Sequence, residues 1–476
     1  MTSETARRWR RRFPDEASTP ATGSATLKRS LGRVDLTAMG VGTIVGAGIF
    51  VITGVAAAEK AGPSIVLSFL LAGTVCVLVA LCYSELAAMV PVSGSAYTYT
   101  YATLGEGPAF LVGWNLLLEF VIAGAAVAIG WSGTLVSALD TMFGITLPSA
   151  ITASPSEGGI VNLPAVLIIG VVVAVLVGEV SLTARITKVL VGVTIGVLVL
   201  VVAIGTPHID VANWTPFAPF GLGGIVGGAA IAFFAFLGFD VVAASAEEAR
   251  TPRRDVPFAI IGTVLIATVL YALVSAVLTG IAPFGTLNNA APIATAFGGL
   301  HIGWIGNAIV IASIIALTKG LLLIVYAQVR LMFAMCRDRL LPSNLATTGK
   351  RSTPVQLTLL LGTVCAAIAG LLPIDIVVEL VNIGALSAFA VVCVGVLVLR
   401  KLEPNRERPF RTPLVPLVPI LALVGCILLA TTLDVLTWVR FAVWVAIGIA
   451  VYLGYGRKRS VMADPAPSTE TVQAER

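Results

Sequence analysis

Charge is what this sequence has least of. Only 12% of its 476 residues are Asp, Glu, Lys or Arg, while 57% are hydrophobic; soluble domains carry about 25% charged residues. Histidine is nearly absent: the two present, His208 and His301, fall in expected outer loops. No phosphate-binding loop or nucleophile elbow occurs. The six cysteines, Cys76, Cys82, Cys336, Cys365, Cys393 and Cys426, sit in or at the ends of apolar runs without metal or redox spacing. They read as small packing residues. These absences point away from enzyme chemistry, from a metal site and from any cofactor. The net charge of +5 gives no support to nucleic-acid binding, because the basic residues are distributed in a way that a membrane explains.

What the chain has is long apolar runs, and a mean hydropathy of +0.99. A bilayer crossing needs roughly 20 apolar residues, and twelve such spans are expected, near 34–58, 63–90, 108–138, 162–180, 184–205, 222–248, 256–281, 302–336, 354–372, 375–401, 416–433 and 436–457. The runs are continuous and not alternating, which argues against a barrel. With twelve spans the basic clusters fall on one side: RRWRRR (7–12) with Lys28, Arg29 and Arg33, then Arg185/Lys188, Arg250/Arg253/Arg254, Arg330 to Arg351, Arg400 to Arg411, and Arg457 to Arg459. Lys60, Lys319 and Arg440 fall elsewhere. The positive-inside rule makes that side cytoplasmic and places both termini there. RRWRRR also suits anionic lipid headgroups. No short apolar segment with a small-residue cleavage site precedes residue 34, so no cleaved leader is expected. The polar tail from Met462 is expected to be disordered.

Residues 40–54 read GVGTIVGAGIFVITG, with five glycines in fifteen positions. Small residues let helices pack closely, which accounts for Gly40 and Gly54. Gly46-Ala47-Gly48 is different, because positions two apart face different directions on a helix. A local break explains it. Unwound backbone inside a membrane must be buried in protein or line a cavity, and the freed N–H groups of the resuming helix attract a carboxylate. Transporters built from inverted repeats carry a second break at the matching position. The sixth span, GGIVGGAAIAFFAFLGFDVVAASAEEA (223–249), has flexible residues around FFAFLGF. Freed carbonyls near Phe234, Ala235 and Leu237 suit an ammonium group. Two such breaks would hold a zwitterion.

LKRSLG and DLTAMGVGTIVGAGIFVITG (within 27–54), YSELAAMVPVSGSAYTYTYATLGE (83–106), GWNLLLEFVIAGAAVAIGWSG (113–133), AFFAFLGFDVVAASAEEARTPRRDVP (232–257), VRLMFAMCRDRLLP (329–342), NIGALSAFAVVCVGVLVLR (382–400) and RPFRTPLVPLVPI (408–420) together resemble amino acid–polyamine–organocation transporters, in particular the cationic amino acid transporter branch. The resemblance covers about residues 27 to 455. It implies an all-α, polytopic fold of twelve transmembrane helices with a five-plus-five inverted repeat and discontinuous helices 1 and 6. The implied division is a cytoplasmic arm (1–33), a first repeat (34–205), a second repeat (206–401), two further helices (402–457) and a tail (458–476). It implies alternating-access transport of L-amino acids. By the same resemblance Thr43, Ile44, Gly46, Ala47 and Gly48 match the carboxylate-binding segment. Phe233, Phe234, Ala235 and Leu237 match the amine-binding segment, with Phe234 as a gate.

Ionisable residues inside a membrane are costly and invite a functional reading. Glu119 matches a family glutamate and Asp240 a family aspartate; either suits a basic substrate side chain or a coupled proton, the alternative being a structural acid. Glu85 and Glu247/Glu248 are expected to hold loops or gates through Arg250, Arg253 or Arg254. Many proton-coupled relatives place a lysine in span 5, where this sequence aligns Thr194. Span 8, ALTKGLLLIVYAQVR (316–330), carries Lys319 instead, next to Thr318. Lys319 is read as a cation supplied from the other wall of the ion site, with Thr194 giving it room; the alternative is a lysine snorkelling to water. The expected activity is permease-type transport of L-amino acids, cationic by the branch resemblance and Glu119, with neutral substrates, exchange, or a non-transporting sensor as alternatives. Proton coupling is left open. The expected setting is a plasma membrane and the expected state a monomer.

Overall fold

A backbone in lipid must satisfy its own hydrogen bonds, and the chain does so almost wholly with helices. The computed structural model describes residues 31–90, 94–178, 184–289, 291–300, 303–346 and 354–461. The arm carrying RRWRRR, His301 and the tail lie outside them. Among the described residues the only extended pairing is an isolated parallel bridge between Leu31 and Ala249.

In chain order the main helices are α1 (Arg33–Ile44), α2 (Ile65–Met89), α3 (Glu106–Phe143), α4 (Leu163–Val177), α5 (Ala184–Gly205), α6 (Gly221–Phe233), α7 (Pro252–Ile281), α8 (Gly303–Arg337), α9 (Val355–Leu371), α10 (Ile374–Leu402), α11 (Leu417–Ala430) and α12 (Val435–Val451). Among the described residues, eight helical stretches are long and apolar enough to cross a membrane, and α4, α9 and α11 are shorter apolar helices. The first stretch, Arg33–Met89, has 57 residues, far more than one crossing needs. It reverses at Gly62, whose φ of +62° suits a residue without a side chain. Local signals set several ends. Asn162 accepts from the Ala165 amide at the start of α4, and Asp434 accepts from the Leu436 amide at the start of α12. Gly144, at φ +65°, closes α3.

Helices in lipid gain little from the hydrophobic effect when they associate, so packing and interhelical hydrogen bonds decide their arrangement. α2 lies along α7, and α3 runs between α8 and α10. Gly73 of α2 meets Thr268 of α7, and Gly425 of α11 meets Val75 of α2. α12 is fastened to α3 by stacked Trp114 and Trp444, with ring centroids 4.5 Å apart. Each indole N–H donates to the other's carbonyl, at 3.0 and 3.3 Å. Exposed Leu167, Val171, Val199, Leu273, Leu359, Leu421 and Val424 form the outward apolar faces expected of a bundle whose solvent is lipid.

The charged end of the bundle is tied by buried ion pairs. Glu85 at the end of α2 accepts from Arg400 Nε and Nη2, both at 2.8 Å, from Arg408 Nε at 3.1 Å and from the Thr412 amide at 2.8 Å. Arg408 also donates to the carbonyls of Leu399, Glu403, Pro404 and Arg406. The expected pairing of Glu85 with Arg250, Arg253 or Arg254 is thus corrected: the loop after α10 folds back over the end of α2 and brings its own guanidinium. Glu248 pairs with Arg330 at 3.0 Å, and Arg253 approaches Glu407 at 3.9 Å. Breaking a buried pair leaves a stranded charge, at a cost of about 3–5 kcal/mol. Glu85→Ala is therefore expected to lower the thermal unfolding midpoint of detergent-purified protein sharply, while Arg253→Ala at the exposed pair leaves it within error.

Candidate functional site

The glycine-rich segment interrupts its helix. α1 stops at Ile44, and Val45 is extended at φ −75° and ψ 95°. The chain resumes with wide π-type turns at Gly48–Ile52 and Ala57–Ala61 around α-helical Thr53–Ala56. Its first backbone bond runs from the Phe50 amide to the Gly46 carbonyl, at 3.2 Å. The amides of Ala47, Gly48 and Ile49 precede that bond and have no carbonyl of their own helix to reach. On the other side, the Val45 amide closes on Val41, which leaves the carbonyls of Gly42, Thr43 and Ile44 beyond the last turn. The Ile44 oxygen is taken by the Tyr271 hydroxyl of α7, at 2.9 Å. Thr43 turns its hydroxyl back to Met39 at 2.9 Å.

α6 is interrupted too. After Phe233 it tightens into a 3₁₀ turn at Phe234–Phe236, and Leu237 is extended at φ −67° and ψ 140°. Gly238, at φ +110°, reverses the chain into Asp240–Ala244. The Phe234 carbonyl accepts the Leu237 amide at 3.2 Å, whereas those of Ala235 and Leu237 take no backbone bond among the described residues. Of the three carbonyls singled out in the sequence, Phe234's is therefore the least available. Asn382 of α10 fixes the approach to this break by donating to the Ala230 carbonyl at 2.8 Å.

The two interruptions face each other. A Cβ on Gly48 would collide with the backbone of Ala235, and one on Gly238 with Thr43. Gly46, although buried, has open space where its Cβ would be. The geometry thus brings Gly48 against Ala235 and Thr43 against Gly238, so that the segment holding Thr43, Ile44, Gly46, Ala47 and Gly48 meets the one holding Phe233, Phe234, Ala235 and Leu237.

Two further groups of polar atoms lie nearby. Asp240, fully buried, sits among Ser95, Tyr83 and Tyr99, close enough to Glu119 for the two acids to sense each other's charge. The Asp240 carboxylate is approached by the Ser95 hydroxyl and by the amides at the start of its own helical turn, while Oε2 of Glu119 and the Tyr99 hydroxyl have no hydrogen-bond partner among the described residues. Tyr83 also packs edge-on against Phe239 and Phe389, each at 5.5 Å. On the other wall, Lys319 of α8 is buried beside Gly42. Its neighbour Thr318 points elsewhere, accepting from Trp131 Nε1 at 2.9 Å and donating to Ile314 at 2.7 Å. Thr194 of α5 is buried and donates to Leu190 at 2.8 Å.

The end of the bundle where α1 begins is closed. Leu31 exchanges backbone bonds with Glu248 and Arg250, at 3.0 and 2.8 Å. Arg33 pairs with Asp255 at 2.7 Å, and Lys188 pairs with Asp35. Tyr271 and Gly238 are the site residues that the sequence reading missed. Gly238 had a signal, a glycine directly after the flexible segment; a lone tyrosine in an apolar span had none.

The space at Gly46 and its absence at Gly48 separate two substitutions. Gly46→Ala is expected to keep the thermal midpoint of the purified protein while removing stabilisation by ligand. Gly48→Ala forces the two breaks apart and is expected to lower the midpoint by several degrees, in line with about 1–3 kcal/mol for an overpacked core position.

Comparison with known proteins fits this geometry. An amino acid permease family model matches residues 31–454. The chain is 42% identical over 455 residues to a methylthioribose transporter of Bacillus subtilis, covering 95% of this chain and 98% of the relative. It is 43% identical over 444 residues to a branched-chain amino acid permease of the same organism, covering 92% and 95%. A human protein named cationic amino acid transporter 4 is more distant, at 32% identity over 569 residues, covering 92% and 89%. With its apolar helices and a match that spans nearly the whole sequence, the chain is an integral membrane protein of the amino acid permease family.

Proposed function

We propose that this protein is a secondary transporter that carries L-amino acids across the plasma membrane by alternating access. One observation carries the reading: Gly48 and Ala235 abut, which sets the first break, with its unbonded amides, directly beside the second, next to the open space at Gly46. The substrate carboxylate binds along Gly46–Gly48, with Thr43 and Ile44 beneath it. The α-ammonium binds the Ala235 and Leu237 carbonyls. Phe233 and Phe234 cover the ligand, Phe234 acting as the gate. The ion-site residues are Lys319 and Thr194; of the two others expected there, Thr318 is turned to Trp131 and Ile314 and Asp240 belongs to the group around Ser95, Tyr83 and Tyr99.

The architecture that goes with this reading is twelve crossings, obtained when Arg33–Met89 counts as two and the three shorter helices as one each. Interrupted helices then open two repeats, 34–205 and 206–401, with α11 and α12 outside them. Both termini are cytoplasmic, membrane lipid is the surround, and the protein acts as a monomer. The closed end at Leu31, Arg33 and Glu248 is the cytoplasmic gate.

For the substrate side chain, the apolar surroundings of the site and the relative named a branched-chain permease favour neutral aliphatic amino acids. A second reading, cationic amino acids, is favoured by Glu119 and Asp240, two buried acids without a cationic partner among the described residues. Uptake of radiolabelled leucine into proteoliposomes tests both, with valine, alanine, arginine and methylthioribose as competitors. Leucine is expected to compete at least tenfold better than alanine, since each buried methylene contributes about 0.8 kcal/mol. Arginine as the better competitor, with its effect removed by Glu119→Gln, establishes the cationic reading. No uptake of leucine or arginine, with uptake of radiolabelled methylthioribose instead, contradicts amino acid transport.

A further inference from the structure

We infer that Lys319 is the residue through which transport is coupled to protons, its ammonium binding the carbonyls that the first break leaves open on Gly42 and Thr43. This inference rests on the transport reading above and adds the identity of the coupling group.

Lys319 lies near the middle of α8 (Gly303–Arg337) and is only 3% exposed. A lysine that merely tolerates a membrane helix extends its stem until the ammonium reaches water. This one ends inside the protein. Its Nζ has no hydrogen-bond partner among the described residues and lies 3.5 Å from where a Cβ on Gly42 would sit, with its Cε at 3.8 Å. Any side chain at position 42 would take up that space. Gly42 belongs to the last turn of α1, whose carbonyls lose their helical donors because the helix stops at Ile44. An amine without an acceptor therefore lies beside carbonyls without donors.

The charged groups on the packed elements are engaged elsewhere. On α1, Arg33 pairs with Asp255 and Asp35 with Lys188 of α5. On α3, Glu106 binds Tyr452 and Ser460, Glu119 lies beside Asp240, and Asp140 is exposed. α4, α9 and the short helix Pro292–Gly298 carry no Asp, Glu, Lys, Arg or His. On α8 itself, Arg330, about three turns from Lys319, pairs with Glu248. α5 presents Val191 to Gly42, and Thr194, one turn further on, is buried on the same face while Val193 is exposed. The Thr194 hydroxyl donates to Leu190 and keeps its lone pairs. The groups that α1 and α5 present on this side are thus dipoles, and among the described residues no carboxylate pairs with Lys319. Isolated buried charge is costly, so the proton is held only while the break presents its carbonyls.

The step involves one N–H bond. The neutral amine takes a proton from water on one side, and the ammonium holds α1 to α8 through the freed carbonyls. When the break rearranges, the ammonium returns the proton to water on the other side, and the neutral amine lets α1 move.

The test uses the full-length protein, in detergent for leucine binding and in proteoliposomes for transport. With an inward gradient of one pH unit and one proton per substrate, wild type is expected to accumulate leucine about tenfold, the ratio that 1.4 kcal/mol supports. Lys319→Met is expected to reduce that ratio to about one and to remove the pH dependence of leucine exchange. The double variant Lys319→Thr/Thr194→Lys, which returns the cation from the facing wall, is expected to restore gradient-driven accumulation. Accumulation by Lys319→Met at the wild-type ratio overturns the inference, as does wild-type exchange that ignores the gradient. If Lys319→Met is inactive altogether, the double variant decides: gradient-driven uptake supports the inference, and uptake without gradient dependence, or none, overturns it. Absence of leucine and arginine binding to wild type overturns the transport reading itself, a result distinct from binding that persists with coupling unchanged in Lys319→Met.

Discussion

The structure depends on one constraint: a peptide group inside a membrane cannot be left without a partner. Helices meet it along most of the described residues, and the interruptions of α1 and α6 are set against each other. At Val45 and at Leu237 the backbone turns extended. The approach of Gly48 to Ala235 puts the two failures in the same space, so the groups freed by one break complement those freed by the other. Tyr271 shows the same pressure locally. Its hydroxyl reaches the Ile44 carbonyl from α7, satisfying one group that the break leaves open.

The rest of the molecule supports that juxtaposition. Since helices in lipid gain no hydrophobic drive toward one another, small residues at contacts such as Gly40 against Thr263 and Val242 hold α1 in place by close packing. Asn382 anchors α6 before its break. The charged pairs gather at the basic end, where Glu85, Arg400 and Arg408 fix α2 to α10 and to the loop beyond it. Around the breaks the ionisable groups, Lys319, Glu119 and Asp240, form no ion pair among the described residues. That division ties one end of α1 by charge and holds its broken end by close packing.

Much of this was legible in the sequence, for reasons that differ from residue to residue. The apolar runs announced helices, and their length announced a membrane. Gly46-Ala47-Gly48 announced a break because helix packing offered no use for two glycines two apart. Lys319 stood out because a charge in mid-span has no ordinary explanation. The partners of Glu85 were not legible: they lie more than 300 positions away, and local charge pattern pointed to the nearer arginines. The Phe234 carbonyl looked free, but a tightened turn gives it the Leu237 amide, a detail of hydrogen bonding that composition does not encode. Aliphatic or basic preference was not legible either, because buried acids and apolar neighbours pull the expectation in opposite directions.

Removing one pole of the ligand at a time tests the central claim most directly. Calorimetric titration of the purified protein with leucine, with leucinol, which lacks the carboxylate, and with 4-methylpentanoate, which lacks the ammonium, isolates each break. Hydrogen bonds to charged groups contribute about 1.5–3 kcal/mol, so each analogue is predicted to bind at least tenfold more weakly than leucine. Either analogue binding as tightly as the amino acid would contradict the account.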